Sequence, residues 1–160
     1  MVRKGEPRKE SLTERQKLLL AFLSAGDEFL SPLRIMKGLF LIVQKRGTLL
    51  PKDALYTFQP YLFGPFTPDL YQDLAHLVNE RLVEWKPLPY ASWAIYRASP
   101  TGKEVAKGIL RHYPKELTSY IQRVWQWVAT TPVADLLAAI YRNFPDYAIF
   151  SIAQHQKRGG

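Results

Sequence analysis

Apolar positions recur at helical spacing through most of the chain, and that spacing predicts a mainly helical domain. Thr13 and Gln16 form a capping-box pattern, and Lys17 to Ser24 supply the apolar turns of a first helix ending near Gly26. Ser31-Pro32 opens a second helix, since serine caps free backbone amides and proline at the first helical position loses no hydrogen bond. This helix runs to Lys45 or Arg46 and stops at Gly47. Leu33, Ile35, Met36 and the run Leu39 to Val43 leave it little polar face, so it should be largely buried. Thr67-Pro68-Asp69 repeats the cap-plus-proline start, and Leu70, Leu74, Leu77 and Val78 give the third helix one apolar face. Two regular amphipathic helices close the pattern, one through Leu117, Tyr120, Ile121, Val124, Trp125 and Val128, the other through Val133, Leu136, Leu137, Ile140 and Tyr141.

Where helical spacing lapses, other signals take over. Leu55 to Gly64 is aromatic and extended, and Pro60 makes it an edge strand or a bent segment. Leu82 to Lys86 and Ser92 to Ala98, joined by Pro87-Leu-Pro-Tyr90, predict a β-hairpin. Thr101-Gly-Lys-Glu104 is a further capping box, opening a fourth helix, and Pro145 leaves room for a short final one. The expected organisation is a flexible basic arm over residues 1–10, a single winged-helix-like domain with a C-terminal helical extension over 11–154, and a polar tail over 155–160. The fold class is mainly α (α+β), with a small hairpin and additional C-terminal helices.

Composition narrows the function classes. A chain of 160 residues with 47% hydrophobic content can bury a real core. It has no cysteine, so neither a disulfide framework nor a thiolate metal site is available. The charged stretch from Met1 to Glu14 is no secretory signal, and the longest apolar run falls short of the roughly 20 residues a membrane helix needs. A soluble, cytoplasmic protein without a membrane partner is expected. The net charge is +8, unevenly spread. Residues 31–52 carry Arg34, Lys37, Lys45, Arg46 and Lys52 with no acid, whereas 53–84 set Arg81 against Asp53, Asp69, Asp73, Glu80 and Glu84.

The order helix, helix, helix, hairpin, helix resembles a winged helix. Ala94 to Ala106 resembles the place where a second wing strand ends in a Tyr-x-Leu-Thr-x-x-Gly phrase, with Tyr96, Thr101 and Gly102 as the matching residues. The segment Tyr61-Leu-Phe-Gly-Pro-Phe-Thr-Pro-Asp-Leu-Tyr71 resembles the Tyr-x-x-Gly-Pro signature of the Panacea-type, phage-associated antitoxin family. Leu33 to Leu41, with Lys37, stands where that family has its Lys-bearing helix. The resemblance spans residues 31–84. It implies a helical, winged-helix-like scaffold in a toxin–antitoxin or regulatory role, without catalysis.

Two sets of candidate residues follow. For duplex DNA, the leading expectation, phosphate contacts would come from Arg34, Lys37, Lys45 and Arg46 on the second helix, Lys86 and Arg97 on the wing, and Lys103 and Lys107 after it. Trp85, Tyr90 and Trp93 could stack or wedge there. For a partner protein such as a toxin, the alternative, the surface would comprise Tyr61, Gly64, Pro65, Asp69, Tyr71 and Asp73. On the third helix Asp69, Asp73, His76 and Glu80 form one stripe opposite the leucines, read as a solvated face rather than a metal site. Its acids would repel phosphates, although Gln72 and Asn79 could read bases. Trp127, on the side of its helix away from Ile121 and Val124, marks a candidate homodimer surface. His76, His112 and His155 stand in no nucleophile motif. Thr101-Gly-Lys lacks the earlier glycine of a phosphate loop, with Arg97 in its place. No enzyme activity, cofactor or metal is expected.

Overall fold

The computed structural model describes residues 12–148, so the basic arm at 1–10 and the polar tail at 155–160 lie outside the described residues. The capping box at the start of helix α1 (Glu14–Leu23) closes in both directions. Thr13 Oγ1 accepts from the Gln16 N–H at 3.1 Å, and Gln16 Oε1 accepts from the Thr13 N–H at 3.0 Å. Leu18 to Leu23 are all buried, which makes α1 the central helix of the core. Helix α2 (Pro32–Arg46) starts as expected, with the Ser31 hydroxyl accepting from the Arg34 N–H at 3.3 Å.

Leu55 to Gly64, expected as an edge strand or a bent segment, carries a short edge strand at Gln59–Tyr61. The chain turns back on itself, pairing β1 (Gln59–Tyr61) antiparallel with β2 (Gly64–Phe66). Tyr61 lies opposite Gly64, and Pro60 is accepted because a two-stranded ribbon is all edge. Gly64 has φ +97, a left-handed angle that a side chain resists, so it fixes the turn.

Helix α3 (Asp69–Asn79) begins without the expected cap. Thr67 is fully buried and its hydroxyl has no hydrogen-bond partner. At its other end Arg81, with φ 62, takes the position usually given to glycine. The Leu82 N–H then reaches the Leu77 carbonyl at 2.9 Å and the Arg81 N–H the Val78 carbonyl at 3.0 Å, satisfying carbonyls the helix end leaves free.

The wing follows as β3 (Val83–Pro87) and β4 (Ala94–Ala98). Leu30, just before α2, exchanges two backbone hydrogen bonds with Tyr96 at 2.8 and 2.9 Å, covering the outer edge of β4. Helix α4 (Pro100–Arg111) starts two residues earlier than its predicted capping box, because Ser99-Pro100 repeats the logic of Ser31-Pro32. The Ser99 hydroxyl accepts from the Gly102 N–H at 2.9 Å and donates to the Arg81 carbonyl at 2.8 Å. Helices α5 (Lys115–Thr130) and α6 (Val133–Asn143) complete the chain, followed by a 3-10 turn at Pro145–Ala148.

The described residues thus form a mainly helical α+β fold of six α-helices and two small antiparallel hairpins. The winged-helix order of elements is present, with β1–β2 inserted before α3. That insertion separates α2 from α3, and the main helical neighbour of α2 is α5. No helix among the described residues is long and apolar enough to cross a membrane.

Candidate functional site

The basic residues expected to contact phosphate have partners within the chain. Arg34 Nη1 donates to the Val128 carbonyl and, at 2.6 Å, to the Thr131 carbonyl, so it caps the C-terminal end of α5 where free carbonyls carry partial negative charge. Lys37 is 1% exposed and its ammonium donates to the carbonyl of Phe63 in the β1–β2 turn. This corrects its assignment as a surface contact: no phosphate reaches it. Lys45 lies over the Phe144 ring, while Arg46 pairs with Glu116 at 3.2 Å and covers Tyr120.

On the wing, Lys86 and Arg97 both cover the ring of Phe29, at 4.5 and 4.2 Å from its centroid. Arg97 also pairs with Glu84 at 3.0 Å, Lys103 pairs with Asp27, and Lys107 pairs with Glu104 at 2.9 Å. Exposed pairs of this kind are weak, typically ~0–1 kcal/mol, so these cations still reach solvent. Arg34 and Lys37, by contrast, are committed to the fold.

The acidic stripe also departs from its expected place. Asp73 is 2% exposed rather than solvated. It accepts from Tyr56 Oη at 2.7 Å, Gln16 Nε2 at 3.2 Å and Arg15 Nε at 3.1 Å, and Arg15 also reaches Asp69 at 3.2 Å. The Arg15 guanidinium is desolvated by this position, but hydrogen bonding and charge from Asp73, then Asp69, leave its pKa raised overall. This network fastens α3 to the start of α1, so two faces of α3 are covered. What remains exposed is Tyr71, Gln72, Ala75 and Asn79, a face without charge. His76 buries its Nε2, His112 caps α4, and His155 lies outside the described residues. Among the described residues no group of three or more His, Cys, Asp or Glu side chains is placed to hold a metal ion.

The feature that stands out on the surface is apolar. Tyr61, Leu62, Phe63 and Tyr71 are 50%, 40%, 48% and 48% exposed. Tyr61 stacks on Phe66 at 4.9 Å between centroids, and Phe66 meets Tyr71 at 6.4 Å. The turn carrying these rings is held from beneath. Gly64 and Pro65 are buried, and a Cβ on Gly64 would stand 3.0 Å from Leu137 Cδ2 and 3.3 Å from Lys37 Nζ. Of the six residues expected for a protein surface, Tyr61 and Tyr71 are presented, Gly64 and Pro65 support them, Asp69 sits part-exposed beside Arg15, and Asp73 is interior. Leu62 and Phe63 were not singled out in the sequence, because apolar residues beside a turn read as core. Trp127 is half-buried against the core, beside Tyr120 and Ile140, rather than free on an outer face.

Lys37 gives this support a pH signature. Burial without a carboxylate partner pushes its pKa down to about 7. An unfolded lysine holds its proton to about pH 10.4, so above pH 7 the unfolded state binds more protons and stability rises with pH. Between pH 7 and 9 the unfolding free energy from urea denaturation should therefore increase, by an amount approaching ~1.4 kcal/mol per pH unit. A Lys37→Met variant should show no such slope; an unchanged slope would assign it to another group.

No family model, no curated protein and no solved structure matches this chain.

Proposed function

We propose that this chain is a non-enzymatic, antitoxin-like protein-binding module that grips a partner protein through the β1–β2 turn and the adjoining face of α3. The observation that carries the reading is the cluster of Tyr61, Leu62, Phe63 and Tyr71, all roughly half exposed on a turn braced by Gly64 and Lys37. Large apolar side chains gathered on a rigid support cost solvation in the free protein, and such patches mark interaction sites. Tyrosine is enriched among the residues that dominate binding energy, and pre-bracing the turn lowers the ordering cost on association. The resemblance of Tyr61 to Tyr71 to the antitoxin signature points the same way.

The test is calorimetric titration of the chain with the product of the adjacent reading frame. A Tyr61→Ala, Phe63→Ala double variant should bind about 30- to 1,000-fold more weakly, the range for losing roughly 2–4 kcal/mol at binding hot spots. An Arg111→Ala control, exposed on α4, should bind as the parent does. Unchanged affinity in the double variant rejects the surface. Duplex DNA is the competing outcome: a mobility shift at low salt that fades steeply as salt rises would replace the protein reading.

A further inference from the structure

We infer that the chain's own apolar segment at residues 149–153 covers the exposed β1–β2 turn and competes there with the partner protein. The inference rests on the protein-binding reading above and adds a regulation of that same site.

The end of the described chain is anchored beside the turn. Phe144 and Tyr147 both meet the Phe40 ring edge-on, at 5.0 and 4.7 Å between centroids. Phe40 also meets Phe58, which precedes β1, at 5.3 Å. The 3-10 turn at Pro145–Ala148 lies against both β1 and β2, and Leu137 of α6 packs beneath Gly64. The residue after Ala148 therefore starts next to the strand that carries Tyr61.

The sequence that follows suits the surface it would meet. Residues 149–153 read Ile-Phe-Ser-Ile-Ala, uncharged and with three large apolar side chains; only from Gln154 does the chain turn polar. Five extended residues span about 17 Å at roughly 3.3–3.6 Å each. A three-residue strand such as β1 runs about 10 Å, so the segment is long enough to pass along the ribbon and over its turn.

Charge is matched as well. Tyr61, Leu62, Phe63 and Tyr71 carry none, and Gln72 and Ala75, exposed beside Tyr71, are neutral. Asp69 is held by Arg15. Apolar surface on both pieces leaves water when they meet, which is favourable without any charge pair. Because the segment is tethered a few residues away, its effective concentration at the turn is on the order of millimolar, so a weak contact suffices to keep the turn covered.

The experiment compares the full chain with its Phe150→Ser, Ile152→Ser variant. Anilinonaphthalene sulfonate, which fluoresces on exposed apolar surface, is one probe, and the product of the adjacent reading frame is the other. The variant should bind at least about threefold more dye. Adding Tyr61→Ala and Phe63→Ala should remove that gain. If the turn is covered about nine-tenths of the time in the parent, freeing it should tighten partner binding about tenfold. A Gln156→Ser, Lys157→Ser control should behave as the parent. Equal dye binding by parent and variant overturns the inference, and so does a gain that persists without Tyr61 and Phe63. Dye binding by the parent that rises on dilution also overturns it, since a second copy would then be the cover. If the tail substitutions change neither readout while the Tyr61/Phe63 double variant weakens partner binding, the cover fails and the protein-binding reading stands. If dye binding rises as expected but partner affinity ignores both sets of substitutions, the cover stands and the protein-binding reading falls.

Discussion

Replacing Asp73 by alanine is expected to cost about 3–5 kcal/mol of stability, the range for removing one partner from a buried ion pair. The side chain of Asp73 is 3% exposed, and its carboxylate is the shared acceptor for Tyr56, Gln16 and Arg15. Without it, one amide hydrogen of Gln16 loses its acceptor in a dry site, the Tyr56 hydroxyl is left with only the Arg15 carbonyl at 3.5 Å, and Arg15 keeps Asp69 and the Tyr56 ring. Gln16 also closes the α1 capping box, so the loss reaches the start of the central helix. Asp69→Ala makes the contrast: its side chain is 42% exposed, and removing it should cost no more than about 1 kcal/mol. Urea denaturation of the two variants checks this. A loss at position 73 as small as that at 69 would mean that the network is hydrated rather than buried.

Gly102→Ala should destabilise by about 3 kcal/mol, at the upper end of overpacking costs. The sign is informative, because the same change inside an ordinary exposed helix stabilises by up to ~1 kcal/mol. Here a Cβ would overlap the backbone carbonyl oxygen of Leu82 and press on Leu20 Cδ1 at 3.2 Å. The Leu82 carbonyl cannot yield readily, since it accepts from the Ser99 N–H at 2.9 Å and lies between α3 and the wing. Gly47→Ala is the control: there the nearest atom is a mobile Leu55 methyl at 3.3 Å. Thermal unfolding of both variants decides it, and equal midpoints would show that α4 does not pack on the Leu82 carbonyl as described.

The resemblance of Tyr96, Thr101 and Gly102 to a winged-helix phrase acquires a physical reason from this contact. Glycine is required where α4 meets the backbone that leaves α3. Helix limits were legible for similar reasons. Thr13 and Ser31 act on backbone groups a few residues away, and local chemistry of that range is written in sequence. Ser99 was legible by the same rule but was hidden behind the capping-box pattern at Thr101.

Charge placement was not legible in this way. Lys37 and Asp73 are ordinary polar residues on helices whose other positions are apolar, and periodicity assigns both to solvent. The partners that bury them are distant in the chain: the Phe63 carbonyl for Lys37, and Arg15, Gln16 and Tyr56 for Asp73. The sequence by itself determined which segments coil, where they stop, and that the wing forms, because those outcomes depend on neighbours within about one helical turn. Only the tertiary structure decided which faces are left for a partner. It buried an expected phosphate contact beneath the β1–β2 turn, paired Asp69 and Asp73 with Arg15 of α1, and left Tyr61, Leu62, Phe63 and Tyr71 exposed. Burial and pairing depend on which surfaces meet, and that is fixed only when all the elements pack together.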